Sequence, residues 1–300
     1  MSVQSQSGWR ASIVPVLTVL GAIIVVWYIG AALLNLAWER DQSERAVAKG
    51  AEPAPFSQML TNTMSQKRPV LPAPHQVAVE LWKTTVDKKI TSKRSLVYHA
   101  WVTLAPTLLG FVFGTLLGMA LAIGIVHNRA MDMSVMPWVI ASQTIPIIAT
   151  APMIIIVLNA VGVSGLIPKA IIAMTLSFFP VTVGMVKGLR SPDAMQLDLM
   201  RTYNASRPAT LRKLRLPSSL PYLFTSMKIA VAASLVGAIV AELPTGAVAG
   251  LGARLLAGSY YGQTVQIWSA LLMASFVAAA LVGIVGVLGR MVERRMGMTR

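Results

Sequence analysis

Six long runs of apolar residues leave this 300-residue chain few ways to fold. A helix crosses the hydrocarbon core of a bilayer with about 20 such residues. Inside that core each backbone N–H and C=O must be satisfied by the segment itself, which favours helices. The runs lie at about Ser12–Leu36, Val102–Val126, Met133–Leu158, Leu166–Val186, Leu223–Leu243 and Ile267–Leu288. Only 12% of residues are charged, against about 25% in soluble domains. The expected fold class is therefore an all-α polytopic membrane protein with about six transmembrane helices. The first run exceeds a signal-peptide core of about 7–15 residues and no A-x-A site follows, so it reads as an uncleaved helix. Asn35-Leu36-Ala37-Trp38 reads as its interfacial exit.

The formal net charge of +15 does not point to nucleic acid. The basic residues lie beside apolar runs or in one loop, with no aromatic-interleaved stripe. Their distribution predicts orientation instead. Arg129, then Lys187, Arg190 and the basic loop, then Arg290, Arg294, Arg295 and Arg300 mark one side, whereas the opposite short loops carry only Lys169 and Arg254. The basic side is expected in the cytoplasm, with both termini. The ten Lys and Arg between Trp38 and Ala100 do not weigh against this, because loops of about 60 residues translocate largely regardless of charge. The expected organisation is a cytoplasmic N-terminus (1–11), a first helix (12–36) and an extracytoplasmic loop with a short helix (37–100). A membrane core (101–290) carrying a cytoplasmic loop (190–220) and a cytoplasmic C-terminus (291–300) follow. Within 37–100, Glu39–Pro69 reads as exposed and poorly ordered, and His75–Asp87 as a short helix after Leu71-Pro72-Ala73-Pro74.

The loop from Asp198 to Pro221 carries Arg201, Arg207, Arg212, Lys213 and Arg215, and ends in Leu216-Pro217-Ser218-Ser219-Leu220-Pro221. Asp198–Arg215 is expected to form a short helix that docks on a partner. Tyr203, Leu211 and Leu214 would supply apolar contact, Arg207, Arg212 and Arg215 charge, and Asn204 a turn. The alternative is a basic loop that only fixes topology.

Gly110, Gly114 and Gly118 form a small-residue face for packing within one subunit or between subunits. Gln143 and Thr144 with Pro146 and Pro152, and Ser177 with Pro180, mark irregular helices that either line a pathway or simply bend. Glu242 ends the fifth run. As an ionisable residue it is a candidate for a solute path or gate; a capping role or pairing with Arg254 is the other reading. Catalytic chemistry is not visible. The chain has no cysteine, and His75, His99 and His127 lack metal-ligand spacing. No Gly-rich phosphate loop with a following Lys occurs, so active transport would draw energy from another subunit.

The loop and its context resemble the membrane-spanning permease subunits of ABC importers of the nitrate/sulfonate/taurine type. That family's loop reads E-A-A, three residues, G, nine residues, I-x-L-P. Here Asp198 takes the place of Glu, Leu199-Met200 of Ala-Ala, Asn204 of Gly and Leu214 of Ile, ahead of Leu216-Pro217. Ala205 follows the turn position. Leu71–Pro74, Ile145-Pro146 with Ala151-Pro152, Phe178-Phe179-Pro180 to Gly188-Leu189, and Val240-Ala241-Glu242 with Gly250-Leu251-Gly252 match further segments in order. The resemblance implies the type I ABC importer permease fold in a bacterial inner membrane. It implies cytoplasmic ABC ATPase subunits as partners, an extracytoplasmic substrate-binding protein, and a second permease copy or paralogue. No cofactor is expected in this chain, since ATP and Mg would sit on the ATPase. The solute would be a nitrate-, sulfonate- or taurine-like anion or a pyrimidine-like heteroaromatic. An ion-gradient-driven secondary transporter would need ionisable residues at mid-membrane, and a membrane enzyme would need convergent catalytic groups; neither pattern is visible.

Overall fold

The computed structural model of the chain describes residues 9–50, 52, 55–244 and 246–297. The outer parts of both expected cytoplasmic termini, 1–8 and 298–300, lie outside the described residues. The helices are α1 (Trp9–Val47), α2 (Phe56–Thr63), α3 (Pro74–Trp82), α4 (Leu96–His127), α5 (Arg129–Ala141) and α6 (Ile147–Ala160). They continue as α7 (Leu166–Leu189), α8 (Ala194–Thr202), α9 (Arg207–Thr210), α10 (Leu216–Glu242), α11 (Leu251–Tyr260) and α12 (Thr264–Arg295). The described residues contain no strand. Among the described residues, five helical stretches are long and apolar enough to span a membrane, and the α5–α6 pair makes a sixth if counted as one broken span.

That pair corrects the expected third span. Its two helices meet at an angle of 103°. Ser142–Thr144 tightens into a 3-10 turn, and Ile145 and Pro146 are extended. Proline disfavours helical backbone at the residue before it, so the bend falls at Ile145-Pro146.

The chain divides into two compact units. The first comprises residues 1–89 and 257–271. Here α1 does not stop near Leu36 but runs on to Val47, and α2 occupies Phe56–Thr63. Glu39–Pro69 is thus more helical than its composition suggested. Extending a formed helix is easier than nucleating one, and Glu, Arg, Gln and Ala propagate it well. The short helix expected at His75–Asp87 is present as α3, continued by a wide π-type turn over Lys83–Asp87. Asn35 is wholly buried and pins the preceding segment to α1. Its Nδ2 donates to the Leu71 carbonyl at 2.9 Å and its Oδ1 accepts from the Val70 N–H at 2.8 Å. The Trp27 indole donates to the Pro72 carbonyl.

The second unit comprises residues 90–256 and 272–300. Its centre is α4, α7 and α10, packed through small residues. A Cβ added at Gly110 would lie 2.5 Å from the Ala173 Cβ, and one at Gly118 would lie 2.9 Å from the Val181 Cβ. At Gly114 it would strike the Ser177 hydroxyl. The glycine face of α4 therefore packs within the subunit, against α7. Gly184 and Gly188 of α7 meet Ser226 and Ser219 of α10 in the same way. Close approach of backbones is the main source of helix association in lipid, where burial of apolar surface drives little. Two hydroxyls join the seam: Ser177 donates to the Gly110 carbonyl at 3.2 Å and Ser234 to the Thr107 carbonyl at 2.7 Å. Ala122, Ile125, Val181, Met185, Leu189 and Leu223 form an apolar cluster at one end of this bundle.

Candidate functional site

The basic loop is built from two helical pieces around one turn, not from a single helix. Asp193 caps α8 by accepting from the Gln196 N–H at 2.8 Å, and the Gln196 side chain accepts in return from the Asp193 N–H at 3.3 Å. The helix ends at Asn204, whose φ of +49° is the one positive value at a non-glycine among the described residues. The Ala205 N–H reaches back to the Met200 carbonyl at 2.9 Å and the Asn204 N–H to the Arg201 carbonyl at 2.8 Å. This is a Schellman ending, in which a left-handed residue satisfies carbonyls left over at the helix terminus. Asparagine tolerates that conformation better than most side chains.

Ser206 then caps α9, and a π-type turn over Leu211–Arg215 carries the chain straight into α10. Arg207–Glu242 is one helical stretch. Leu216-Pro217 is therefore not a stop: Pro217 sits in the first turn of α10. Its missing N–H and bulky ring disturb the preceding turn, and the wide turn at 211–215 accommodates them.

The side chains divide differently from the expectation. Met195, Leu199 and Tyr203 are 80%, 56% and 77% exposed, and their i, i+4, i+8 spacing puts them on one face of α8. Asp198, exposed beside them, pairs with Arg201 at 2.9 Å. Leu211 and Leu216 pack on the bundle's apolar cluster instead of facing outward, and Leu214 is half-buried. Arg215 also faces inward, donating to the Leu189 carbonyl at the end of α7 at 3.0 Å. Arg207 and Arg212 remain exposed. Of the expected apolar contacts only Tyr203 is outward. Met195 and Leu199 share the spacing of Tyr203 in the sequence, which is the one signal there for this face.

A cavity of about 670 Å³ lies between α7 and α10, with Gln143 at its edge. Phe179 and Tyr222 give it aromatic walls, and Lys187, Thr225 and Gln143 its main polar groups. The Lys187 ammonium lies 6.0 Å from the centre of the Tyr222 ring. Of the four polar residues expected along a path, only Gln143 lines this cavity. Thr144 is exposed beside it, with its hydroxyl on the Ala141 carbonyl. Ser177 is wholly buried in the α4–α7 seam.

Glu242 is wholly buried too, and it holds a loop. Its Oε2 accepts from the Gly252 N–H at 2.7 Å and its Oε1 from the Thr103 hydroxyl at 2.8 Å. Thr103 accepts from the Leu251 N–H at 2.8 Å, and His99, one turn earlier on α4, accepts from the Gly250 N–H at 3.0 Å. Three successive amides at the start of α11 are thus held by His99, Thr103 and Glu242. A Cβ at Gly250 would collide with the Glu242 carboxyl, and the φ of +127° at that residue also suits glycine. This arrangement supports the capping reading of Glu242. His99 and Thr103 had no signal in the sequence beyond their spacing of four.

The family model described as "binding-protein-dependent transport system inner membrane component" matches residues 114–298. The formylaminopyrimidine transport permease protein ThiX of Halalkalibacterium halodurans is 32% identical over 183 residues, covering 61% of this chain and 68% of that one. The riboflavin transport system permease protein RibX of Chloroflexus aurantiacus is 30% identical over 225 residues, covering 75% and 80%. Permeases named for aliphatic sulfonates and nitrate match at 23% and 24% identity. Among solved structures, an inward-facing form of the MetNI methionine ABC transporter aligns with a TM-score of 0.56 at 22% identity, over 68% of this chain and 96% of that one. At that identity the match speaks to the fold alone.

Proposed function

Because this chain belongs to the family of binding-protein-dependent transport system inner membrane components, we propose that it forms the path for a small heteroaromatic solute. The cavity wall carries this reading. Phe179 and Tyr222 offer ring faces for stacking, while Gln143 and Thr225 offer a few polar groups to read ring nitrogens or carbonyls. A compact anion such as nitrate or a sulfonate is better held by several converging donors or guanidinium forks. Here the wall provides one ammonium, Lys187. The relatives named for a pyrimidine and for riboflavin, at 32% and 30% identity, agree with an aromatic solute.

Transport would need an extracytoplasmic binding protein to deliver the solute, a second permease copy or paralogue to complete the path, and a cytoplasmic ATPase to drive it. The coupling element is α8, from Ala194 to Thr202, rather than the whole of Asp198–Arg215. Met195, Leu199 and Tyr203 form its docking face, with Asp198, Arg207 and Arg212 at the rim. Leu211, Leu214, Arg215, Leu216 and Pro217 join the element to the bundle, so that movement of α8 passes into α10. Asn204 and Ala205 form the joint.

The direct test is uptake by proteoliposomes containing the permease, its ATPase and its binding protein. A labelled pyrimidine should enter in an ATP-dependent manner, and Tyr222→Ala should slow its entry. Uptake of an alkanesulfonate that excess pyrimidine does not compete would refute the heteroaromatic assignment.

A further inference from the structure

A second cleft, of about 440 Å³, opens between the end of α4 and the basic loop. His127, Arg201, Arg207 and Arg215 all line it, and among the described residues no carboxylate does. Only part of this charge is answered nearby. Arg201 has Asp198 at 2.9 Å, but that pair is on the outer surface, with side chains 81% and 64% exposed. Arg215 is steered by a neutral carbonyl, that of Leu189. His127 donates from Nδ1 to the Ile123 carbonyl at 2.8 Å, and the charge of the cleft rests on the three arginines. Like charges gathered in a cleft repel one another, and an anion entering between them relieves that repulsion.

We propose that this cleft binds a phosphate group. Guanidinium forks match phosphate oxygens in a way that single ammonium groups do not. His127 is the last residue of α4, a stretch long and apolar enough to span a membrane, so in a bilayer the cleft would open near the lipid headgroups. Basic pockets at the cytoplasmic ends of membrane helices are suited to anionic headgroups. The same chemistry accepts free phosphate. The bound group would bridge α4, α8 and the start of α10, and so stiffen the loop that carries α8. Its binding does not depend on the coupling role proposed above; only this mechanical consequence does.

The test uses the purified permease–ATPase complex in phosphatidylcholine with added phosphatidylglycerol. Retained lipid is counted by native mass spectrometry, with inorganic phosphate as competitor. The wild type should retain phosphatidylglycerol in preference to phosphatidylcholine. Loss of two cations in Arg201→Gln/Arg207→Gln should weaken retention by roughly 30-fold. Both arginines are exposed, so the variant should remain monodisperse. The control, Lys213→Gln/Arg294→Gln, removes two cations outside the cleft and should retain lipid as the wild type does. Phosphate that displaces the lipid identifies a site for either source, and lipid that resists displacement identifies a headgroup site. Preferential binding of phosphate without lipid identifies the free ion. The proposal fails if the wild type prefers neither lipid nor phosphate, if the arginine variant binds like the wild type, or if the control loses as much as the arginine variant. It fails equally if the lipid enters only after the ATPase is stripped off, since the cleft would then be filled by an acidic side chain of that partner. ATPase stimulation, measured on the same samples, reports separately on coupling.

Discussion

Replacing Met195 and Leu199 together by aspartate should detach the ATPase while leaving the permease folded. The two side chains are 80% and 56% exposed and belong to none of the apolar clusters among the described residues. Exposed substitutions of this kind usually change stability by no more than about 0.5 kcal/mol. Their worth is expected only in the complex. Burying a side chain of this size is worth about 1.5–3 kcal/mol, and a buried apolar anchor at an interface typically reaches about 2 kcal/mol. Two lost anchors give about 4 kcal/mol, a weakening on the order of 1,000-fold, before the cost of placing two carboxylates against an apolar groove. Leu211→Asp provides the contrast. Leu211 packs on the bundle core, so this change should lower the yield of folded permease rather than release the ATPase from folded protein. The assay is co-purification of the ATPase with tagged permease, followed by solute-stimulated ATP hydrolysis in proteoliposomes. A monodisperse Met195→Asp/Leu199→Asp permease that keeps its ATPase and normal stimulation would refute the docking face.

Four further outcomes are expected. Gly114→Leu should cost about 1–3 kcal/mol or prevent assembly, because the new side chain meets Ser177 across the α4–α7 seam; an unchanged thermal melt would contradict that packing. Asn204→Gly should be tolerated and Asn204→Val should cost about 1–2 kcal/mol at a φ of +49°, read as faster proteolysis within 194–210; equal cleavage of the two variants would argue against the left-handed turn. Glu242→Ala leaves the Gly252 N–H without its acceptor and leaves the Thr103 hydroxyl only the His99 carbonyl, costing about 1–3 kcal/mol, so melting temperature should fall while the KM of the folded fraction holds; a changed KM at unchanged stability would return Glu242 to the solute path. A cysteine at Ser206, in a chain that has none, should resist an impermeant thiol reagent in intact cells and react after permeabilisation; labelling of intact cells would reverse the proposed orientation.

The sequence by itself determined what depends on neighbours along the chain. Apolar runs of about 20 residues mark their own spans because a bilayer demands that length. Asn204 announced its turn because few side chains accept positive φ, and Pro72 with Pro74 marked where α3 could begin. The glycine spacing of Gly110, Gly114 and Gly118 named a packing face, although not the helix that would fill it. Tertiary structure decided which way each side chain faces. A helix that is apolar nearly all round carries little record of its own rotation, so Ser177 could be read as facing a path when it is sealed against Gly110. Leu211 and Leu199 are chemically alike, yet one enters the core and the other is exposed, because the wide turn before Pro217 joins Leu211 to α10 whereas α8 stands beyond the Asn204 turn. Glu242 and Thr103 are 139 residues apart and meet only when α4 and α10 pack. No local rule relates such positions, and burial of the carboxylate becomes tolerable only once the folded chain supplies its donors.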